Sequence, residues 1–170
     1  MNVWKKIKKR ITLSFVNTFC AGTHAWKLKR RLLNGCDGIE IGEDTKIVTP
    51  IHLPLHSHLK IGKRCWIGRD FVLEGNGKVV IGDSCDLAPT VVCVTGSHTI
   101  GDARRRAGEG YNGTIGIGNG VWIGTRAVLL PNVSIGDGVI VGAASVVTKD
   151  LVDNAMFAGN PAKKIRDLTD

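Results

Sequence analysis

A chain of 170 residues that is 43% apolar and 22% charged can close one buried core, which excludes a wholly disordered polymer. Its formal net charge of +8 is uneven. Nine of the 23 Lys and Arg precede Asp37, the first acidic residue, and no zinc-finger, helix-turn-helix or RNA-recognition signature accompanies them, so nucleic acid is not an expected partner.

Residues 1–36 read as a basic amphipathic helical segment. Trp4, Ile7, Ile11, Phe15 and Phe19 recur at helical spacing with Lys5, Lys6, Lys8, Lys9 and Arg10 around them, and a second basic cluster, WKLKRRLL, begins at Trp26. Two compatible uses fit: contact with a membrane surface of anionic lipid through residues 1–31, or a cap over the open end of a solenoid. The basic-then-apolar order resembles a secretory leader, but Thr12, Ser14, Asn17 and Thr18 interrupt the apolar part. No run reaches the eighteen or so apolar residues that would span a bilayer. Five cysteines, an odd number without a CxxC pair, read as reduced thiols. The expected location is cytoplasmic, at the inner face of a membrane.

Residues 37–152 repeat. IGEDTKI from Ile41, IGKRCWI from Ile61, IGDSCDL from Ile81, IGNGVWI from Ile117 and IGDGVIV from Ile135 each pair an aliphatic with Gly and place another aliphatic six residues on. Extended by sixes, the positions are Ile41, Ile47, Leu53; Ile61, Ile67, Leu73; Ile81, Leu87, Cys93; Ile117, Ile123, Leu129; and Ile135, Val141, Val147. All are apolar, an outcome with a chance probability of roughly three in a million. Neither the helical nor the simple strand period explains a spacing of six. A short strand plus a turn does, with three units closing a triangular coil of about eighteen residues and one aliphatic per unit pointing inward. Gly after that aliphatic fits a tight turn or a positive φ.

IHLPLHSHLKI in the first coil holds His52, His56 and His58, the last two on one strand face, but no Cys or carboxylate completes a metal set, so no metal is expected. The repeat stops between 99 and 114, where GDARRRAGEGYNG is Gly-rich and polar; it predicts an exposed loop with His98 at its entrance. Residues 153–170 form a C-terminal helix or tail containing AGNPAKKIRDL.

The aliphatic-Gly hexads resemble the hexapeptide-repeat acyltransferases over about residues 39–166. That resemblance implies an all-β fold, a left-handed parallel β-helix. The run APTVVCVTGSH, the coil NGVWIGTRAVLLPNVSIGDGVIVGAASVVTKD and the tail AGNPAKKIRDL are similar to the galactoside and maltose O-acetyltransferase branch, which includes O-acetyltransferases of bacterial surface polysaccharides. The resemblance implies a homotrimer using acetyl-CoA, with His98 as the general base that takes the proton of an acceptor hydroxyl. Imidazole suits that task because its ordinary pKa near 6.5 leaves a neutral acceptor nitrogen at cytosolic pH. It also implies coenzyme contacts at Ala88, Trp122, Thr125, Ala143, Thr148, Lys149, Lys163 and Arg166, the three cations meeting phosphate oxygens.

The implied acceptor is a sugar or glycan. Gly68 offers no side chain where galactoside-acting relatives hold the sugar, which leaves Asn76, beside Asp70 and Glu74, as the polar candidate. Arg104, Arg105 and Arg106 point to an anionic or lipid-linked acceptor. Three other readings stay open at this level: N-acetylation of an amino sugar, a non-catalytic β-helix scaffold, and a metal-dependent hydratase.

Overall fold

The computed structural model describes residues 2–169. Two helices, α1 (Val3–Phe19) and α2 (Trp26–Asn34), precede a prism of stacked three-sided coils. The first face stacks β1 (Ile39–Ile41), β4 (His58–Ile61), β7 (Lys78–Ile81), β12 (Thr114–Ile117) and β15 (Ser134–Ile135). The second stacks β2 (Lys46–Ile47), β5 (Trp66–Ile67), β8 (Asp86–Leu87), β13 (Trp122–Ile123), β16 (Ile140–Val141) and β18 (Ala155–Ala158). The third stacks β3 (Ile51–His52), β6 (Phe71–Glu74), β9 (Val92–Val94), β14 (Val128–Leu129) and β17 (Val146–Val147). Coil pairs on every face are parallel, and Ile41, Ile61, Ile81, Ile117 and Ile135 lie in one register column. The architecture is the expected parallel β-helix.

Of the fifteen repeat positions fourteen are buried, and Leu53 packs half-buried against them. Each such aliphatic contributes about 1.5–3 kcal/mol. A second inward residue lies two positions earlier, as in Ile39, Leu59, Val79, Ile115 and Val133 on the first face. On the second face that place is held by Thr45, Cys65, Cys85, Val121 and Val139, so the cysteines are core residues. All five thiols are free and buried, and burial pushes the Cys93 thiol up to about 12.

The glycines after the inward aliphatics serve close approach, not positive φ. A Cβ on Gly62 would stand 2.5 Å from the Gly82 carbonyl oxygen, and one on Gly82 would stand 2.6 Å from that of Gly118. The left-handed residues come two places later, at Asp44, Arg64, Ser84, Gly120 and Gly138.

The helices close the open edge of the first coil. The Asn17 carboxamide donates to Ile51 O at 2.8 Å and accepts from Ile51 N–H at 3.0 Å; Asn34 treats Ile41 the same way, at 3.0 and 2.7 Å. Each side chain thus substitutes for a missing neighbouring strand. Two buried ammonium groups complete the seal: Lys9 donates to Ser57 O at 3.0 Å, and Lys29 to Gly22 O and Ile47 O at 2.5 and 2.6 Å. Burial holds both lysines below the ordinary lysine pKa. At the entrance, Lys5 donates to Asp37 at 3.0 Å and holds that carboxyl below its usual range.

The C-terminal tail is not helical. β19 (Lys163–Asp167) folds back antiparallel on β18 and covers the last open edge of the second face.

Candidate active site

The extra residues of the early coils all fall at the third corner, between the third and first faces. Leu53 to Ile61 and Leu73 to Ile81 are steps of eight positions there, against six from Leu129 to Ile135. The third coil enlarges the same corner into an antiparallel hairpin of β10 (Gly96–Ile100) and β11 (Ala107–Asn112). The expected loop is therefore ordered. Its root is pinned by buried Thr95, whose hydroxyl donates to Glu74 O at 2.7 Å and accepts from Gly77 N–H at 3.1 Å. Asn112 Oδ1 accepts the Asn76 N–H at 2.9 Å, which ties the returning strand to the coil before it.

His98 stands exposed on β10, opposite Gly110. Because Gly110 has no side chain the imidazole lies over its backbone; a Cβ there would be 3.6 Å from Nε2 and Cδ2. The strands slip register between His98 and Ile100, and such a bulge re-aims a side chain at the rim of a sheet. Asn76 shares the third corner with His98, but Asp70 does not: it lies at the second corner, within 3.2 Å of Arg69 and 3.7 Å of His52. At the hairpin tip, Asp102 Oδ1 accepts the Arg104 and Arg105 N–H groups at 2.9 and 3.1 Å. Arg104, Arg105 and Arg106 are thus presented to solvent from a fixed turn.

The residues expected to hold the coenzyme divide between two corners. Along the second corner, hydrogen bonds stack Gly68, Ala88, Gly124, Gly142 and Ala158 into a column of small residues. Beside it Ala88 and Trp122 line a groove of about 380 Å³ with Trp66, Asp86 and Leu87. Thr125 donates to Pro89 O at 2.8 Å across the coils, and Ala143 packs so closely on Gly124 that a Cβ there would be 2.5 Å from its nitrogen. At the end of the column β19 sets exposed Lys163 opposite Ala158 and exposed Arg166 opposite Met156. Thr148 and Lys149 follow β17 and are exposed at the third corner, with His98. One chain therefore does not bring the two sets together. Between them lies the third face, whose outward column runs from exposed His52 through four half-buried valines, Val72, Val92, Val128 and Val146.

Trp66 and Asp86 were not among the expected contacts, yet Asp86 lies in register between Trp66 and Trp122. The signal was present, since CWIG at Cys65 repeats as VWIG at Val121. His52, His56 and His58 do not converge: among the described residues no group of three or more His, Cys, Asp or Glu is placed to hold a metal.

Comparison with known proteins agrees with this architecture. Residues 114–149 match the family described as bacterial transferase hexapeptide (six repeats). The chain is 35% identical over 130 residues to a galactoside O-acetyltransferase of Escherichia coli, covering 76% of this chain and 64% of that protein, slightly under two thirds of its length. It is 34% identical over 169 residues to a putative acetyltransferase of Saccharomyces cerevisiae, covering 97% of this chain and 84% of the relative. A solved galactoside acetyltransferase in complex with coenzyme A superposes with a TM-score of 0.85 at 29% identity, over 98% of this chain and 82% of that one. By coil, by register and by similarity along nearly its whole length, the chain belongs to the hexapeptide-repeat acetyltransferases.

Proposed function

We propose that the chain transfers the acetyl group of acetyl-CoA to a sugar hydroxyl in the assembly of a surface polysaccharide or related glycan, with His98 as the general base. The observation that carries this reading is the division of the site between two corners that flank one aliphatic face. In a homotrimer closed through the third face, the second corner of one chain meets the third corner of the next. The outward valines support that closure, because an aliphatic column on a solvent-facing strand stack marks a contact surface.

In the groove so formed, the column from Gly68 to Ala158 lets the pantetheine arm lie against backbone, and Trp122 walls it beside Ala88. Lys149, Lys163 and Arg166 offer charge-assisted hydrogen bonds to the coenzyme phosphates. The neutral imidazole of His98 takes the hydroxyl proton as the acceptor oxygen bonds to the thioester carbonyl carbon. The tetrahedral intermediate then collapses, the C–S bond breaks, and the imidazolium returns the proton to the thiolate. The products are an acetyl ester and free coenzyme A. Arg104, Arg105 and Arg106, with Asn76 at the hairpin root, favour an anionic acceptor such as a phosphate-linked, acidic or lipid-linked sugar.

The test is release of coenzyme A thiol from acetyl-CoA with a panel of glycans. His98→Ala should lower the rate by about 10²–10⁴-fold, and mild alkali should free acetate from the product, as it does from an ester and not from an amide. Equal activity of the variant would end the reading.

A further inference from the structure

α1 has two apolar faces, and the fold uses one. At about 100° per residue, the buried Lys9, Leu13, Val16 and Cys20 fill an arc of about 60°. Val3, Trp4, Ile7, Ile11, Phe15 and Phe19 span an arc of about 160° centred on the opposite side, with exposed Ser14 and Thr18 among them. This second stripe is in solvent: Trp4 is 75% exposed, Phe19 74% and Ile11 63%. Phe15 and Phe19 continue one surface, with ring centroids 5.3 Å apart.

The margins of the stripe are cationic. Lys6 and Arg10 flank one side, Lys8 lies near the other edge between Phe15 and Phe19, and α2 carries the further cations Lys27, Arg30 and Arg31. No acidic residue precedes Asp37 in the chain. That charge pattern argues against self-pairing, because a second copy laid stripe to stripe would bring cation against cation with no acidic residue on either helix to relieve it. It complements an anionic surface. Aromatic and branched aliphatic side chains on one helix face with Lys and Arg at the margins are what an interface of acyl chains and anionic headgroups takes up. No helix among the described residues is long and apolar enough to cross a membrane, so the geometry is that of a helix lying in the interface plane, about 25 Å long.

We propose that α1 is a peripheral docking surface for an anionic lipid bilayer, with Trp4, Ile7, Ile11, Phe15 and Phe19 entering the interface and Lys6, Lys8 and Arg10 against the headgroups. The helix is held from behind by the cap contacts of Lys9 and Asn17, so the stripe is free of any structural duty in the described chain. The proposal does not rest on the acetyl-transfer reading.

Its test is co-sedimentation of the full chain with vesicles of phosphatidylcholine, and of phosphatidylcholine containing phosphatidylglycerol, at low and high salt. The native chain should partition onto the anionic vesicles about ten-fold more strongly than onto neutral ones, and salt should weaken it. The triple variant Trp4→Ser, Phe15→Ser, Phe19→Ser should lose about ten-fold in partition with its thermal melt and its mass in solution unchanged. Lys6→Glu with Arg10→Glu should abolish the preference for anionic vesicles. Absence of binding to both vesicle types, or equal binding of the triple variant, would overturn the proposal. So would a triple variant that falls to a smaller oligomer, which would make the stripe a contact between copies.

Discussion

The imidazole of His98 lies over Gly110 across the hairpin, where a Cβ would sit 3.6 Å from Nε2 and Cδ2. That spacing is ordinary contact, so Gly110→Ala should leave the ring in place, whereas Gly110→Leu must push it aside. We expect kcat to fall about 10–100-fold in the leucine variant and little in the alanine variant. Both residues are exposed, so Tm should barely move in either. A leucine variant with native kcat would mean that the ring position is not set by Gly110.

The proposed trimer, with its site split between chains, predicts complementation. His98→Ala chains keep an intact second corner, and Ala88→Trp chains, whose groove is filled, keep an intact His98. Each alone should be inactive. Unfolded together and refolded at equal amounts, random trimers should recover about a quarter of native activity, since one interface in four pairs two intact halves. Recovery at the level of either parent would place the whole site within one chain. The companion substitution Val92→Glu on the third face should lower the mass in solution and abolish activity together.

The repeat glycines should differ sharply in tolerance. Gly82→Ala drives a Cβ to 2.6 Å from the Gly118 carbonyl oxygen, so a backbone coil must shift, at a cost of about 1–3 kcal/mol. At Gly116 the nearest atom to a new Cβ is the Ser134 hydroxyl at 3.7 Å, and alanine there should be close to neutral. Chemical denaturation of the two variants decides it, and equal stabilities would remove close approach as the reason for the glycine pattern.

The buried Lys29 ammonium should leave a mark on the pH dependence of stability. Burial depresses its folded pKa, and unfolding returns it to the ordinary lysine value. Between those two values the unfolded chain binds more protons, so this group raises stability as pH climbs through that window and contributes no slope below it. Lys29→Met should lower Tm, because Gly22 O and Ile47 O lose their donor, and should also flatten the rise of stability on the alkaline side just below the ordinary lysine pKa. A slope unchanged from the native chain would show that Lys29 is not the group responsible.

Much of the fold was legible because its signal is periodic. A spacing of six with an aliphatic at each position survives whatever surrounds it, and all but Leu53 of those positions are fully buried, that one lying beside the widened third corner. The second inward residue of each coil side was not legible, since Thr45, Cys65 and Cys85 hold that place on the second face and Ser145 on the third, breaking any hydrophobic pattern. The strand within the C-terminal tail was not legible because nothing local in AKKIRD announces that an unpaired strand edge at Ala155–Ala158 waits for it. His98 was found as the entrance to a break, and its partner Gly110 was hidden inside the same break.

By itself the amino-acid order determined the coil, the place at which it is interrupted, the histidine at that interruption and the exposed apolar stripe of α1. Tertiary structure decided that the opposite face of α1, with Lys9, Leu13 and Val16, seals the prism, that Asn17 and Asn34 stand in for a missing strand, and that the expected coenzyme contacts fall on two corners of one chain. The reason is range. A six-residue period is set by neighbours along the chain, whereas the Asn17 contact to Ile51 and the separation of His98 from the Ala88 groove depend on residues that meet only after the coils have stacked.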